Sequence, residues 1–276
     1  MPRVAALYRY PVKGFTPELQ AELRVQSDGR VVGDRVLAFR FAQALHPETH
    51  DGREHWPKSK GLALMTFPSL ARLRTSFDDR ERRLRIETDG TVLVDAGLDD
   101  AGRAEIVSAV TEYLLTAPDA KRLRRSGVLP LALVGDGETA RFQDRPRGFV
   151  SLHARASQRE LGDAGDERRF RSNVVIDGVD AWQELTWRGR VRISGTAFHV
   201  QQPIGRCLAT HANPDTGVRD ADVLGALPRL NGQPDPTMGV LLLPDEPLPE
   251  GGAVIRLGDE VVPDWGTEEP GHRLEA

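Results

Sequence analysis

The chain has 276 residues, 39% hydrophobic and 28% charged, enough apolar material for one large domain or two intimate ones. Lys plus Arg number 37 against 41 Asp plus Glu, and this net charge of −4 gives no footing for a nucleic-acid or membrane-surface partner. A single cysteine excludes an internal disulfide, a CxxC zinc site and a four-cysteine iron–sulfur cluster.

The opening MPRVAALYRYPVKG reaches Lys13 before a signal-peptide core can form, and no apolar run approaches the roughly 20 residues of a membrane span. A reducing cytoplasm is the expected location. Short, β-rich and partly alternating runs at 3–10, 36–42, 82–88 and 90–96 predict strands, the last two joined by the hairpin dipeptide Asp89-Gly90. Residues 98–115 turn helical, with an Asp start and with Ile106, Val107, Val110 and Leu114 on one face. Further strands are expected within 129–136, 170–178, 189–203, 238–244 and 253–262. Between them, Ser157 with Glu160 three residues on predicts a capping box over 156–161. The terminal 266–276 reads as a frayed tail. Many short strands with few helices predict a mainly β, α+β protein of barrel-like architecture.

Four stretches bear on chemistry. The lone Cys207, in PIGRCLATHANPDTG, is either a small packed hydrophobe or a thiolate stabilised by Arg206 that binds a soft metal or attacks an electrophile. Lys13, after the bend of YPVKG, and Arg35, after the Gly33-Asp34 turn, are either exposed strand-end cations or an anion pocket. Arg171 and Asn173, spaced by Ser172, would share one face of a strand, as a solvent-facing stripe or as contacts to a phosphate-bearing heterocycle. His46, His50 and His55 with interspersed acids imitate a zinc site, but a solvated loop is the better reading. The LVGDGETA run at 133–140 lacks the GK[ST] of a phosphate loop and reads as a hairpin turn.

In combination, YPVKG, GDRVLAF, RFRSNVVIDGVDAWQELTWRG, PIGRCLATHANPDTG and IRLGDEV resemble, in order, the MOSC family, in the long form of amidoxime-reducing components and their bacterial relatives. The resemblance implies an N-terminal β-barrel-like region over 1–117 packed against a MOSC β-barrel domain over 118–265. It implies a molybdenum–molybdopterin cofactor with Cys207 as the metal ligand and catalytic residue. Lys13, Gly14, Arg35, Gly148, Arg171, Asn173, Gly205 and Arg206 are carried over as its contacts. The implied activity is a molybdenum-dependent oxidoreductase, independent of pyridoxal phosphate, that removes oxygen from small N-hydroxylated substrates. Its electrons would come from a separate ferredoxin-, flavin- or cytochrome-type protein, since the cysteines of a fused cluster are missing. His153 and His211 are the candidate proton donors near the motifs. The chain departs from the family at Gly14, Ile204, Gly205, Leu241 and the Arg147-Gly148 pair, so the substrate pocket is expected to be reshaped. A competing expectation is a sulfur carrier holding a persulfide on Cys207, and a third is a binding module that has lost its metal.

Overall fold

A computed structural model describes residues 1–245 and 247–264. The expected tail, 266–276, lies outside the described residues. In chain order the strands and helices are β1 (Arg3–Arg9), β2 (Glu18–Leu19), β3 (Glu22–Val25), β4 (Ala38–Phe41), β5 (Glu48–His50), β6 (Arg53–His55), β7 (Arg74–Asp78), β8 (Arg83–Thr88), β9 (Thr91–Gly97), α1 (Asp100–Thr116) and α2 (Ala120–Leu123). They continue with β10 (Leu131–Val134), β11 (Val150–Ala154), α3 (Arg155–Arg159), β12 (Val174–Asp177), β13 (Arg190–Ile193), β14 (Thr196–Gly205), α4 (Val223–Asn231), β15 (Thr237–Pro244), β16 (Ala253–Arg256) and β17 (Val261–Asp264). The protein is mainly β with few helices, as the sequence predicts. Among the described residues no helix is long and apolar enough to cross a membrane.

Two apolar cores divide the molecule. The first gathers Val12, Phe15, Phe39 and Leu62 with the β7–β8–β9 meander and the buried stripe Ile106, Val110 and Leu114 of α1. Asp99 caps α1 by accepting from Gly102 N at 2.7 Å, matching the predicted start. At the β8–β9 turn both Asp89 and Gly90 have positive φ (50° and 75°), the type I′ geometry that matches strand twist. The second core lines an eight-stranded sheet in the order β17–β13–β14–β15–β11–β12–β1–β2. Here β1, from the extreme N-terminus, pairs antiparallel with β12, while β3 pairs with β16 and β10 crosses to pair with β4. Each half thus lends strands to the other, and residue 117 does not separate two independent sheets.

Four local expectations are corrected. Residues 46–58 form an exposed β5–β6 hairpin around Asp51-Gly52 instead of a loop, the same turn chemistry as at 89–90. After β10 the run at 133–140 is no hairpin: Asp136 takes the amides of Glu138 and Thr139 in a local turn, and no strand follows until 150. Helix α3 begins at Arg155, with Ser157 inside it. The Ser157 hydroxyl donates to Glu184 Oε2 at 2.8 Å and accepts from Trp182 N, so it is not available as a cap. Strand β12 begins only at Val174, leaving Arg171 and Asn173 in the turn before it.

Candidate functional site

The site starts where β1 ends. Residues 10–14 run beside 34–37, tied by Lys13 N to Leu37 O (2.9 Å), Leu37 N to Pro11 O (3.0 Å) and Arg35 N to Tyr10 O (2.6 Å). Gly14 turns the chain at φ 86°, where an added Cβ would lie 3.2 Å from Leu62 O, so the position favours glycine on backbone grounds alone. Asp34, only 2% exposed, fastens the turn to both halves: Oδ1 accepts from Tyr10 N at 2.8 Å and from Asn173 Nδ2 at 3.4 Å, and Oδ2 meets the Arg35 guanidinium. Arg35 and Arg171 both lie over the Tyr10 ring, with guanidinium carbons 5.0 and 4.4 Å from its centroid. Arg35 and Arg171 both adopt φ 54°, a conformation that costs a non-glycine residue about 1–2 kcal/mol and is held by this packing.

From the other half, β14 delivers Gly205, and the backbone leaves the strand through Arg206 to an extended Cys207. Arg206 donates from Nε to Met238 O (2.9 Å) and from Nη1 to Phe170 O (2.6 Å), and its Nη2 approaches Ser172 Oγ (3.5 Å). Desolvation pushes this guanidinium down to about 10, still cationic at neutral pH, with the Cys207 sulfur the first group to offset it. Lys13, 6% exposed, donates to Phe142 O (2.8 Å), Gln143 O (3.1 Å) and Asp144 Oδ1 (2.7 Å). Burial pulls the Lys13 ammonium below the ordinary lysine value, and Asp144 only partly offsets this.

These groups line one cavity of about 470 Å³. It collects Lys13, Gly14, Arg35, Arg171, Asn173, Gly205, Arg206 and Cys207 from separate parts of the chain. Eight cationic side chains line it against one carboxylate, that of Asp144. Lys58, Asp144, Arg145, Arg147 and Arg169 also line it; the sequence marked Arg147 only as a departure from the family and offered charge alone for the others. Gly148 is not part of the wall. It is buried against the 28–30 turn, where a Cβ would meet Arg30 Cγ at 2.4 Å, and its neighbour Arg147 takes the cavity position. Asn173 reaches the wall, but its amide is engaged by Ser151 (2.8 Å to Oδ1), Tyr8 O (3.2 Å) and Asp34, so it braces the site.

The two histidines named as candidate proton donors lie outside the cavity lining. His153 is fully buried outside the cavity, with Nε2 2.8 Å from Gln158 Oε1. Desolvation lowers it to about 3, so it is neutral at physiological pH. His211 Nε2 accepts from Leu224 N at 3.2 Å and so caps α4. Among the described residues no cluster of three or more His, Cys, Asp or Glu side chains is placed to hold a metal ion. A metal at this site would depend on the Cys207 sulfur and on ligands brought by a cofactor.

Over 62 residues, 22% of its length, the chain is 39% identical to proteins named molybdenum cofactor sulfurase from Drosophila yakuba, Drosophila erecta and Drosophila melanogaster. The match spans 8% of the length of those relatives. The crystal structure of the YuaD protein from Bacillus subtilis overlays 95% of this chain and 94% of its own at 13% identity, with a TM-score of 0.39. The MOSC domain family model matches residues 149–262, a span that holds Arg171, Asn173, Gly205, Arg206 and Cys207, while Lys13 and Arg35 reach the cavity from outside it. MOSC domains are associated with binding or handling the molybdenum cofactor. Over residues 149–262 the chain is similar to the MOSC domain family.

Proposed function

We propose that the protein binds a molybdenum–molybdopterin cofactor through the Cys207 thiolate and reduces small N-hydroxylated compounds with electrons from a separate donor protein. The observation that carries this reading is the convergence of Cys207 with eight cations around one cavity. A soft sulfur suits a soft metal, and the inner cations Lys13, Arg35, Arg171 and Arg206 suit a phosphate-bearing organic group. The residues present fit such a cofactor.

Each residue then has a stated task. Cys207 contributes a thiolate at the end of a rigid ten-residue strand. Arg206 ties that strand end to Met238 and Phe170 and keeps a positive charge beside the sulfur. Lys13 and Arg35 present cations from the N-terminal half and Arg171 from the turn before β12, stiffened by Asp144, Asp34 and the Tyr10 ring. Phe149, Ile204 and Leu241 supply an apolar wall for the substrate body. When bound, the cofactor supplies the two-electron change; removing oxygen from an N–OH group consumes two electrons and two protons and releases water and the amine or amidine.

The experiment is molybdenum analysis by mass spectrometry on protein from a cofactor-competent host, beside Cys207→Ala. Near-stoichiometric metal that disappears in the variant supports the reading; no metal in the wild type, from a host that loads a control enzyme, ends it. A second reading, sulfur carriage by a Cys207 persulfide, is favoured by the similarity to proteins named molybdenum cofactor sulfurase. A one-sulfur mass increment on the intact protein, lost on reduction and absent in Cys207→Ala, would support it instead.

A further inference from the structure

The cations of the cavity fall into two classes. The inner ones are already engaged: Lys13 by Asp144 and two carbonyls, Arg35 by Asp34, Arg169 by Asp220 (2.7 Å), Arg171 by Phe15 O, and Arg206 by Met238 and Phe170. The outer ones have neither a carboxylate nor a backbone carbonyl partner among the described residues. Arg145 and Arg147 sit exposed on the loop before β11, and Lys58 is half-buried in the short helical turn after β6. Gln202, with its amide oxygen turned toward Arg145, accepts from both terminal nitrogens at 2.7 and 3.0 Å. That contact orients the guanidinium without cancelling its charge. Among the described residues neither Arg147 nor Lys58 has a hydrogen-bonding or ionic partner, and Asp144 beside them is already committed to Lys13. Gln202 lies on β14 opposite Leu241, three residues before Gly205, so Arg145 stands over the strand that presents Cys207. The apolar side chains Phe149, Ile204 and Leu241 belong to the same cavity.

We propose that this rim selects an anionic substrate: a carboxylate or phosphate group, remote from the reacting nitrogen, is held by Arg145 and Arg147 with Lys58 beside them. The inference rests on the reading of the cavity as a reductase site, and it narrows the substrate class to N-hydroxylated compounds with an apolar body and an acidic tail. Arginine suits this task because its planar fork meets a carboxylate or phosphate with two parallel hydrogen bonds.

The test measures binding, so it does not depend on turnover. Holoprotein and an Arg145→Gln/Arg147→Gln variant are titrated calorimetrically with benzamidoxime, its 4-carboxy derivative and its 4-phosphonomethyl derivative. The wild type is expected to prefer the two acidic probes by about tenfold at low salt, the worth of two partly exposed ion pairs. In the variant that preference disappears, while benzamidoxime binding changes less than about twofold. The preference also collapses in about 0.5 M sodium chloride, where the Debye length is below about 5 Å. The two acidic probes separate carboxylate from phosphate as the preferred tail. Equal weakening of neutral and acidic probes, or no preference in the wild type, overturns the proposal. So does loss of molybdenum or pterin from the double variant, which would assign the rim to the cofactor. If acidic probes bind tightly and none is reduced by the reduced holoprotein, the rim assignment stands and the reductase reading fails.

Discussion

His153 offers a test of the fold that can be worked through in numbers. Its ring is completely buried against Phe170, 5.6 Å between centroids, and only Nε2 has a partner. Desolvation, reinforced by Arg206 and Arg155, lowers it from 6.5 to about 3 against the opposing Gln158 hydrogen bond. Between those two values the unfolded chain binds a proton that the folded protein does not, so stability rises with pH across that window and is lost as pH falls through it. Acidifying from pH 7.5 to pH 5 therefore removes about 2 kcal/mol, from 1.36 kcal/mol per pH unit over about 1.5 units below the unfolded value. A folded value anywhere below about 4 gives nearly the same result at pH 5, so the number does not hinge on the depth of the shift. The assay is urea unfolding followed by tryptophan fluorescence at both pH values, for the wild type and His153→Leu. The variant pays a pH-independent cost for the lost Gln158 contact and leaves every other titrating group in place. Wild type should lose about 2 kcal/mol more than the variant on acidification. A difference under about 0.5 kcal/mol would refute the claim that this histidine is held neutral inside the fold.

Two further substitutions probe how the site is assembled. Asp34→Ala strips the acceptor from Tyr10 N and Asn173 Nδ2 and leaves Arg35 unpaired, so an unfolding measurement should show a loss of about 3–5 kcal/mol; a loss below about 1 kcal/mol would deny Asp34 its role in joining the halves. Gly217→Ala should cost more than Gly52→Ala although their φ values are nearly equal, 68° and 70°, because only the first Cβ meets backbone, 2.9 Å from Ser69 Cα. Thermal midpoints compare the two directly, and an equal drop would mean that φ strain alone sets the cost.

What the sequence reveals divides by range. Asp89-Gly90, the Asp99 cap and the buried stripe of α1 are decided within a few residues, and all are legible. Asp51-Gly52 carries the same local signal but sits among histidines, acids and flanking prolines that suggest a loop. Ser157 fails as a cap because a residue 27 positions away, Glu184, takes its hydroxyl. The strand expected through Arg171 fails for a similar reason: the left-handed turn there is stabilised by Tyr10, from the other end of the chain. Lys13, Arg35, Arg206 and Cys207 could be singled out because turns and a strand end mark them. Arg145, Arg147 and Lys58 could not, since nothing local says which surface cations face a shared cavity.

The arrangement of partners around the cations gives the cavity an internal polarity. Arg35 is matched by a buried carboxylate and Lys13 by Asp144, so their fields are largely cancelled within the protein. Arg206 has no carboxylate within ion-pairing distance among the described residues; carbonyl oxygens satisfy its hydrogen bonds and leave its charge intact. A carbonyl dipole stabilises a cation over a short distance only, whereas the net charge acts farther through a weakly screened interior. The least compensated charges of the cavity are therefore Arg206 at the Cys207 end, Arg171, which donates to Phe15 O and has no ion-pair partner among the described residues, and the three cations of the rim. An acidic tail is therefore held at the rim, while the matched pairs Lys13–Asp144 and Arg35–Asp34 serve to fix geometry. This division of labour explains why acidic partners accompany the N-terminal cations while the cysteine end is held by backbone.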